Sequence, residues 1–133
     1  MKKIDTPKIN YIDLFAGAGG LSEGFTRAGF IPLVHVEMDK AACFTLKTRA
    51  AFHYLEKTGN FNLYIDYLNN KIDRKEFYSK IPPQILDCVI NKEITDDSIG
   101  DIFKKIDMIK NTKNIDLIVG GPPCQAYSVI GRS

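Results

Sequence analysis

At 133 residues, with 44% hydrophobic and 26% charged residues, the chain is long enough for one compact domain or part of one, and it is composed like an ordinary globular protein. Its 18 lysines and arginines against 16 aspartates and glutamates leave +2, too little charge to infer a nucleic-acid partner from composition, so any such partner has to be argued from motifs. No apolar run approaches the roughly 18 residues of a membrane span, and MKKIDTPKINY is followed by no signal-peptide core, so a cytoplasmic location is expected.

Residues 1–8 read as a frayed lead-in around Pro7. Tyr11 to Phe15 then forms a brief apolar run ending in the glycine turn AGAGG, which predicts a strand followed by a loop. Leu21, Phe25 and Ala28 recur at helical spacing and Gly29 closes the segment. Glycines at such a turn let backbone amides approach a ligand, and the helix start offers unpaired N–H groups. Ile31 to Val36 predicts a second strand ending at Glu37, roughly 20 residues past the glycine loop, where a carboxylate can accept from ribose hydroxyls. The competing role for Glu37 is a charge at the start of the next helix, for which Asp39 supplies the cap.

That second helix is expected from about Lys40 to Leu55, packing through Cys43, Leu46, Ala50 and Tyr54. His35 and His53 read as structural, having no Asp, Cys or Ser arranged beside them in sequence. Residues 57–84 interrupt the alternation and read as an insertion. Turns fall at Gly59-Asn60 and Asn69-Asn70, and one short helix lies between Asp73 and Lys80, ended by Pro82-Pro83. Its interleaved aromatics and lysines could suit nucleic acid, but a small satellite core with solvated charges is the expected arrangement. Leu86 to Asn91 predicts the third strand, followed by Glu93. Asp96 and Asp97 are expected to cap a helix whose apolar face is Ile99, Ile102, Phe103, Ile106 and Ile109. Ile115 to Val119 is the fourth strand. Strands separated by helices predict a parallel α/β sheet with sites at the carboxyl ends of the strands.

Cys43 and Cys88 sit in apolar surroundings and read as small buried hydrophobes, whereas Cys124 follows the fourth strand in the tract GGPPCQ. Gly120 and Gly121 let the chain leave the sheet, and Pro122 and Pro123 stiffen the loop that displays the thiol, which favours a nucleophile there. No spacing suggests a metal site.

DLFAGAGGLSEGF at Asp13 to Phe25, Glu37 with Met38 and Asp39, and GGPPCQAYS at Gly120 to Ser128 resemble, in order and spacing, the first, second and fourth motifs of the DNA cytosine-5 methyltransferases. The resemblance covers essentially the whole chain, which matches the N-terminal half of the family's cofactor domain. It implies a partial Rossmann-like fold that binds S-adenosylmethionine, with about four parallel strands and flanking helices. Phe15 and the loop of Ala16, Gly17, Gly19 and Gly20 would contact the cofactor's adenine and methionine portions, Glu37 its ribose and Met38 its adenine face, with Gly121 and Pro122 also at the cofactor. Glu93, with Asp101 as its rival, would read the adenine amino group. Cys124 would add to carbon 6 of a flipped-out cytosine, with Pro123 shaping its loop and Gln125 and Ser128 near duplex DNA. The related alternatives are an RNA cytosine-5 methyltransferase and a noncatalytic cofactor-binding or assembly subunit. With nine residues after Cys124, the family's later glutamate, arginine and target-recognition motifs are not in this chain, so a truncation or a split enzyme completed by a second chain is expected, within a restriction-modification system.

Overall fold

The computed structural model describes residues 7–124. Within them the chain forms, in order, β1 (Asn10–Leu14), α1 (Gly20–Arg27), β2 (Ile31–Glu37), α2 (Lys40–Thr58), α3 (Asn62–Leu68), α4 (Arg74–Ser79), α5 (Pro83–Leu86), β3 (Val89–Asn91), α6 (Ile99–Lys110) and β4 (Leu117–Gly120). The four strands make one sheet in the order β3-β2-β1-β4, with every pairing parallel. The chain therefore walks outward from β1 to β3 and then returns through α6 to the other side of β1. This reversal puts a topological switch point between β1 and β4, the place in open α/β sheets where ligands generally bind beyond the carboxyl ends of the strands.

Alternation along the strands sends side chains to opposite faces. Ile12, Val34, Val36 and Ile90 meet Ile102 and Ile106 of α6 on one face. On the other, the Tyr11 hydroxyl reaches Ser22 and Thr26 of α1, while Cys43 and Leu46 of α2 pack with Ala16 and Val89. The pairing of β1 with β2 slips by one residue after Tyr11, opposite Pro32, whose nitrogen cannot donate to the ladder.

Several boundaries differ from the sequence reading, each for a packing reason. The inward residues of α1 are Ser22, Phe25 and Thr26 rather than Leu21 and Ala28, which are exposed, because the buried Tyr11 hydroxyl needs polar partners. α2 continues to Thr58, where Gly59 at φ 81° stops it, and it buries Ala51 and Leu55 more deeply than Ala50 and Tyr54. Pro82-Pro83 does not end a helix but starts one, with Pro83 in the first turn of α5. That turn consumes Leu86 and shortens the third strand to three residues. The α6 cap is Ser98, whose hydroxyl and backbone exchange hydrogen bonds with Thr95, and Phe103 faces out at 55% exposure.

Residues 57–84 fold mostly as α3 and α4, with α5 beginning at their end. Their aromatics turn inward: Phe77 is fully buried, stacked on Tyr67 at 4.6 Å, and joins Ala51, Leu55, Leu63 and Ile81 in a second core against α2. Phe61, Tyr64, Tyr67 and Tyr78 are half-buried around it, which is the packing of a small satellite core.

One close approach governs the fourth strand. A Cβ added to Gly120 would lie 2.3 Å from the carbonyl oxygen of Leu14, its partner in the β1–β4 register. Gly120→Ala is therefore expected to force β4 away from β1, destabilising the chain by about 1–3 kcal/mol in urea unfolding. An unchanged midpoint would show that the strand ends are not packed this tightly.

Candidate cofactor and catalytic site

The loop after β1 is held in a conformation that the sequence tolerates only at cost. Gly17 and Gly19 have φ of 57° and 90°, easy for glycine, but Phe15 also takes φ 59°, a left-handed backbone that costs about 1–3 kcal/mol for such a side chain. The surroundings impose it. The Ala16 N–H donates to the Val36 carbonyl at 3.0 Å, the Gly19 N–H donates to the Ala16 carbonyl at 3.1 Å, and the Gly17 N–H donates to Glu37 Oε2 at 2.7 Å. Gly19 then begins α1 with no side-chain cap, leaving first-turn N–H groups facing the loop.

Glu37 is the hub on the neighbouring strand. Its second carboxylate oxygen accepts from the Asp39 N–H at 2.9 Å, and Asp39 in turn caps α2 through Ala42 at 2.7 Å. A carboxylate has about four acceptor positions, so two backbone donors orient Glu37 and leave it capacity for two more. Met38, at 64% exposure, follows directly.

At the end of β3, Asn91 donates through Nδ2 to the carbonyls of both Glu37 (3.1 Å) and Met38 (2.8 Å). Sequence reading missed this residue, since a lone Asn after a strand carries no motif. The two acidic candidates beyond it differ in setting. The Asp101 carboxylate is taken by Lys92 Nζ at 3.0 Å, which holds it below the usual carboxylate range. Glu93 is exposed, and its carbonyl, not its carboxylate, receives the Ser98 hydroxyl.

Because Leu14 and Gly120 are register partners, the glycine loop and the tract Gly121-Pro122-Pro123-Cys124 leave the sheet side by side, and all four residues of that tract are exposed. Gln125 and Ser128 lie outside the described residues. The three thiols differ sharply. Burial raises Cys43, which donates to the Glu37 carbonyl at 3.3 Å, and burial pushes Cys88 up to about 11. Both remain protonated at neutral pH, Cys43 buried and Cys88 half-buried, whereas Cys124 is exposed.

Both histidines have carboxylate neighbours that only the fold brings near. His53 Nε2 donates to Glu23 Oε2 at 3.0 Å, and this bond, with the Arg27 hydrogen bond and the Arg49 charge, holds Glu23 below the usual carboxylate range while tying α1 to α2. His35 Nδ1 lies 3.9 Å from Asp13 Oδ2, across the β1–β2 pairing and behind the glycine loop. Asp13 is 1% exposed, and neither of its oxygens has a hydrogen bond among the described residues. Among those residues there is also no cluster of three or more potential metal ligands and no helix long and apolar enough to cross a membrane.

The clamped glycine loop, the acidic end of the second strand and the exposed cysteine after the fourth all lie within residues that match one family. The profile of C-5 cytosine-specific DNA methylase matches residues 9–73 and 53–133. The chain belongs to this family. Among curated relatives, type II methyltransferase M.Bpa9945I of Bacillus paralicheniformis is 37% identical over 142 aligned positions, covering 92% of this chain but 32% of that protein. Putative type II methyltransferase M.MjaORF1200P of Methanocaldococcus jannaschii is 33% identical, covering 90% and 36%. Type II methyltransferase M.AquIA of a Picosynechococcus species is 31% identical, covering 91% and 34%. The chain thus spans about a third of the length of these relatives. No solved structure matches it significantly.

Proposed function

We propose that this chain is the S-adenosylmethionine-binding part, with the nucleophile, of a DNA cytosine-5 methyltransferase acting in restriction and modification. The rest of the catalytic domain and the target-recognition surface come from further polypeptide, either continuous with it or a second chain. The observation that carries this reading is the pairing of Leu14 with Gly120, which sets the clamped glycine loop beside the Cys124 loop at the switch point. The residues present fit the cofactor: Glu37 is oriented with acceptor capacity to spare for ribose hydroxyls, Met38 offers an apolar face to adenine, and the start of α1 with Phe15 to Gly20 lines the methionine side. Glu93, past β3, reads the adenine amino group.

Bound there, S-adenosylmethionine supplies an electrophilic methyl group on sulfonium. The thiolate of Cys124 would add to carbon 6 of an extruded cytosine in duplex DNA, making carbon 5 nucleophilic enough to accept that methyl group as S-adenosylhomocysteine leaves; loss of the carbon 5 proton to water or to a base on the further polypeptide would then let the carbon 6–sulfur bond break and restore the thiolate. Gly121 to Pro123 present the thiol and line the cofactor's edge, while the resemblance assigns Gln125 and Ser128, outside the described residues, to the DNA. Calorimetry of the chain with S-adenosylmethionine tests the platform. Glu37→Ala removes both ribose acceptors and the Gly17 clamp, so affinity is expected to fall on the order of 100-fold. A folded wild-type chain that binds nothing would refute the reading.

A further inference from the structure

We propose that Asn91 is a positioning residue for the cofactor's adenosine end, acting through the backbone of Glu37 and Met38; the proposal rests on the function just given. Three register pairs join β2 to β3, the last being Glu37 with Asn91, and the final backbone bond runs from the Lys92 N–H to the Glu37 carbonyl at 3.0 Å. Met38 lies one residue beyond that ladder, where the chain already turns toward Asp39 and α2. Its carbonyl is held by the Asn91 side chain, which continues the sheet after the backbones have parted.

The chemistry of the contact selects asparagine. Both acceptors are carbonyl oxygens, so the amide must present Nδ2 and not Oδ1, and its two N–H bonds serve one carbonyl each. A carboxylate of the same shape would set negative oxygens against both carbonyls. The segment so held carries the two groups that face adenosine. The exposed Met38 side chain has little packing of its own, and the Glu37 carboxylate also fixes Gly17 and Asp39. A shift of this peptide moves the ribose acceptor, the apolar face and the glycine loop together. Asn91 is itself exposed, so its purpose is not core packing.

The test is calorimetry of the chain with S-adenosylhomocysteine, alongside circular dichroism and thermal melting. Asn91→Ala is expected to bind on the order of tenfold more weakly while melting within a few degrees of wild type, and Asn91→Asp to bind at least as weakly as the alanine variant. In a Glu37→Ala background, where the acceptor that Asn91 orients is gone, the further loss from Asn91→Ala shrinks below about twofold, because coupled residues are not additive. Asn91→Ala within twofold of wild type, or losses that simply multiply in the double variant, overturn the proposal alone. A folded wild-type chain with no affinity for S-adenosylhomocysteine overturns it together with the function on which it rests.

Discussion

Replacing Cys124 by serine is expected to abolish covalent capture of duplex DNA carrying 5-fluorocytosine, measured as a denaturant-stable complex when this chain is joined to, or mixed with, the polypeptide that supplies the remaining catalytic domain. With S-adenosylmethionine present, a carbon 5 that has taken the methyl group carries fluorine where the proton to be lost would be, so the thiolate bonded to carbon 6 cannot be eliminated. A free thiol near neutral pH already holds a few per cent thiolate, whereas a serine hydroxyl ionises negligibly without a neighbouring base. Cys43 is buried and Cys88 half-buried, and burial raises both thiols, so neither is expected to substitute for the exposed Cys124. Cofactor affinity should be unchanged in Cys124→Ser, since the thiol makes none of the contacts around Glu37. A complex that survives the substitution would remove Cys124 from the chemistry.

His35→Leu is expected to be clearly destabilising, costing about 1–3 kcal/mol in urea unfolding. Asp13 is almost fully enclosed with no hydrogen bond to either oxygen among the described residues, and the His35 imidazole lies 3.9 Å away across β1 and β2. Leucine there removes the imidazole that faces this buried carboxyl and leaves an enclosed polar group against an apolar side chain. Removing the carboxylate as well, in Asp13→Asn with His35→Leu, should recover much of the loss, a coupling that a double-mutant cycle reads directly. A cost below about 1 kcal/mol for His35→Leu alone would show that Asp13 needs no such partner.

Local chemistry was legible from residues alone wherever neighbours in sequence are neighbours in space. AGAGG announced a turn because positive φ is needed at Gly17 and Gly19, and both have it. The α6 pattern found Ile102 and Ile106 because one helix face is one packing surface. It overreached at Phe103, since periodicity cannot tell how wide the covered stripe is. Prolines misled for a related reason. Pro82-Pro83 punctuates the chain, but whether it ends one helix or starts the next depends on what Ile85 and Leu86 pack against, and that is the second core around Phe77.

By itself, then, the sequence determined the parallel α/β class, the family, the glycine loop, the acidic end of the second strand and the cysteine loop, all carried by contiguous stretches whose backbone demands are local. Tertiary structure alone decided what those pieces are tied to. The Glu37 carboxylate clamps a loop 20 residues away, Asn91 holds a carbonyl 53 residues back, and His53 meets Glu23 across 30 residues. Such hydrogen bonds are set by which strands lie side by side and in what register, and no run of residues encodes that order until the sheet has formed.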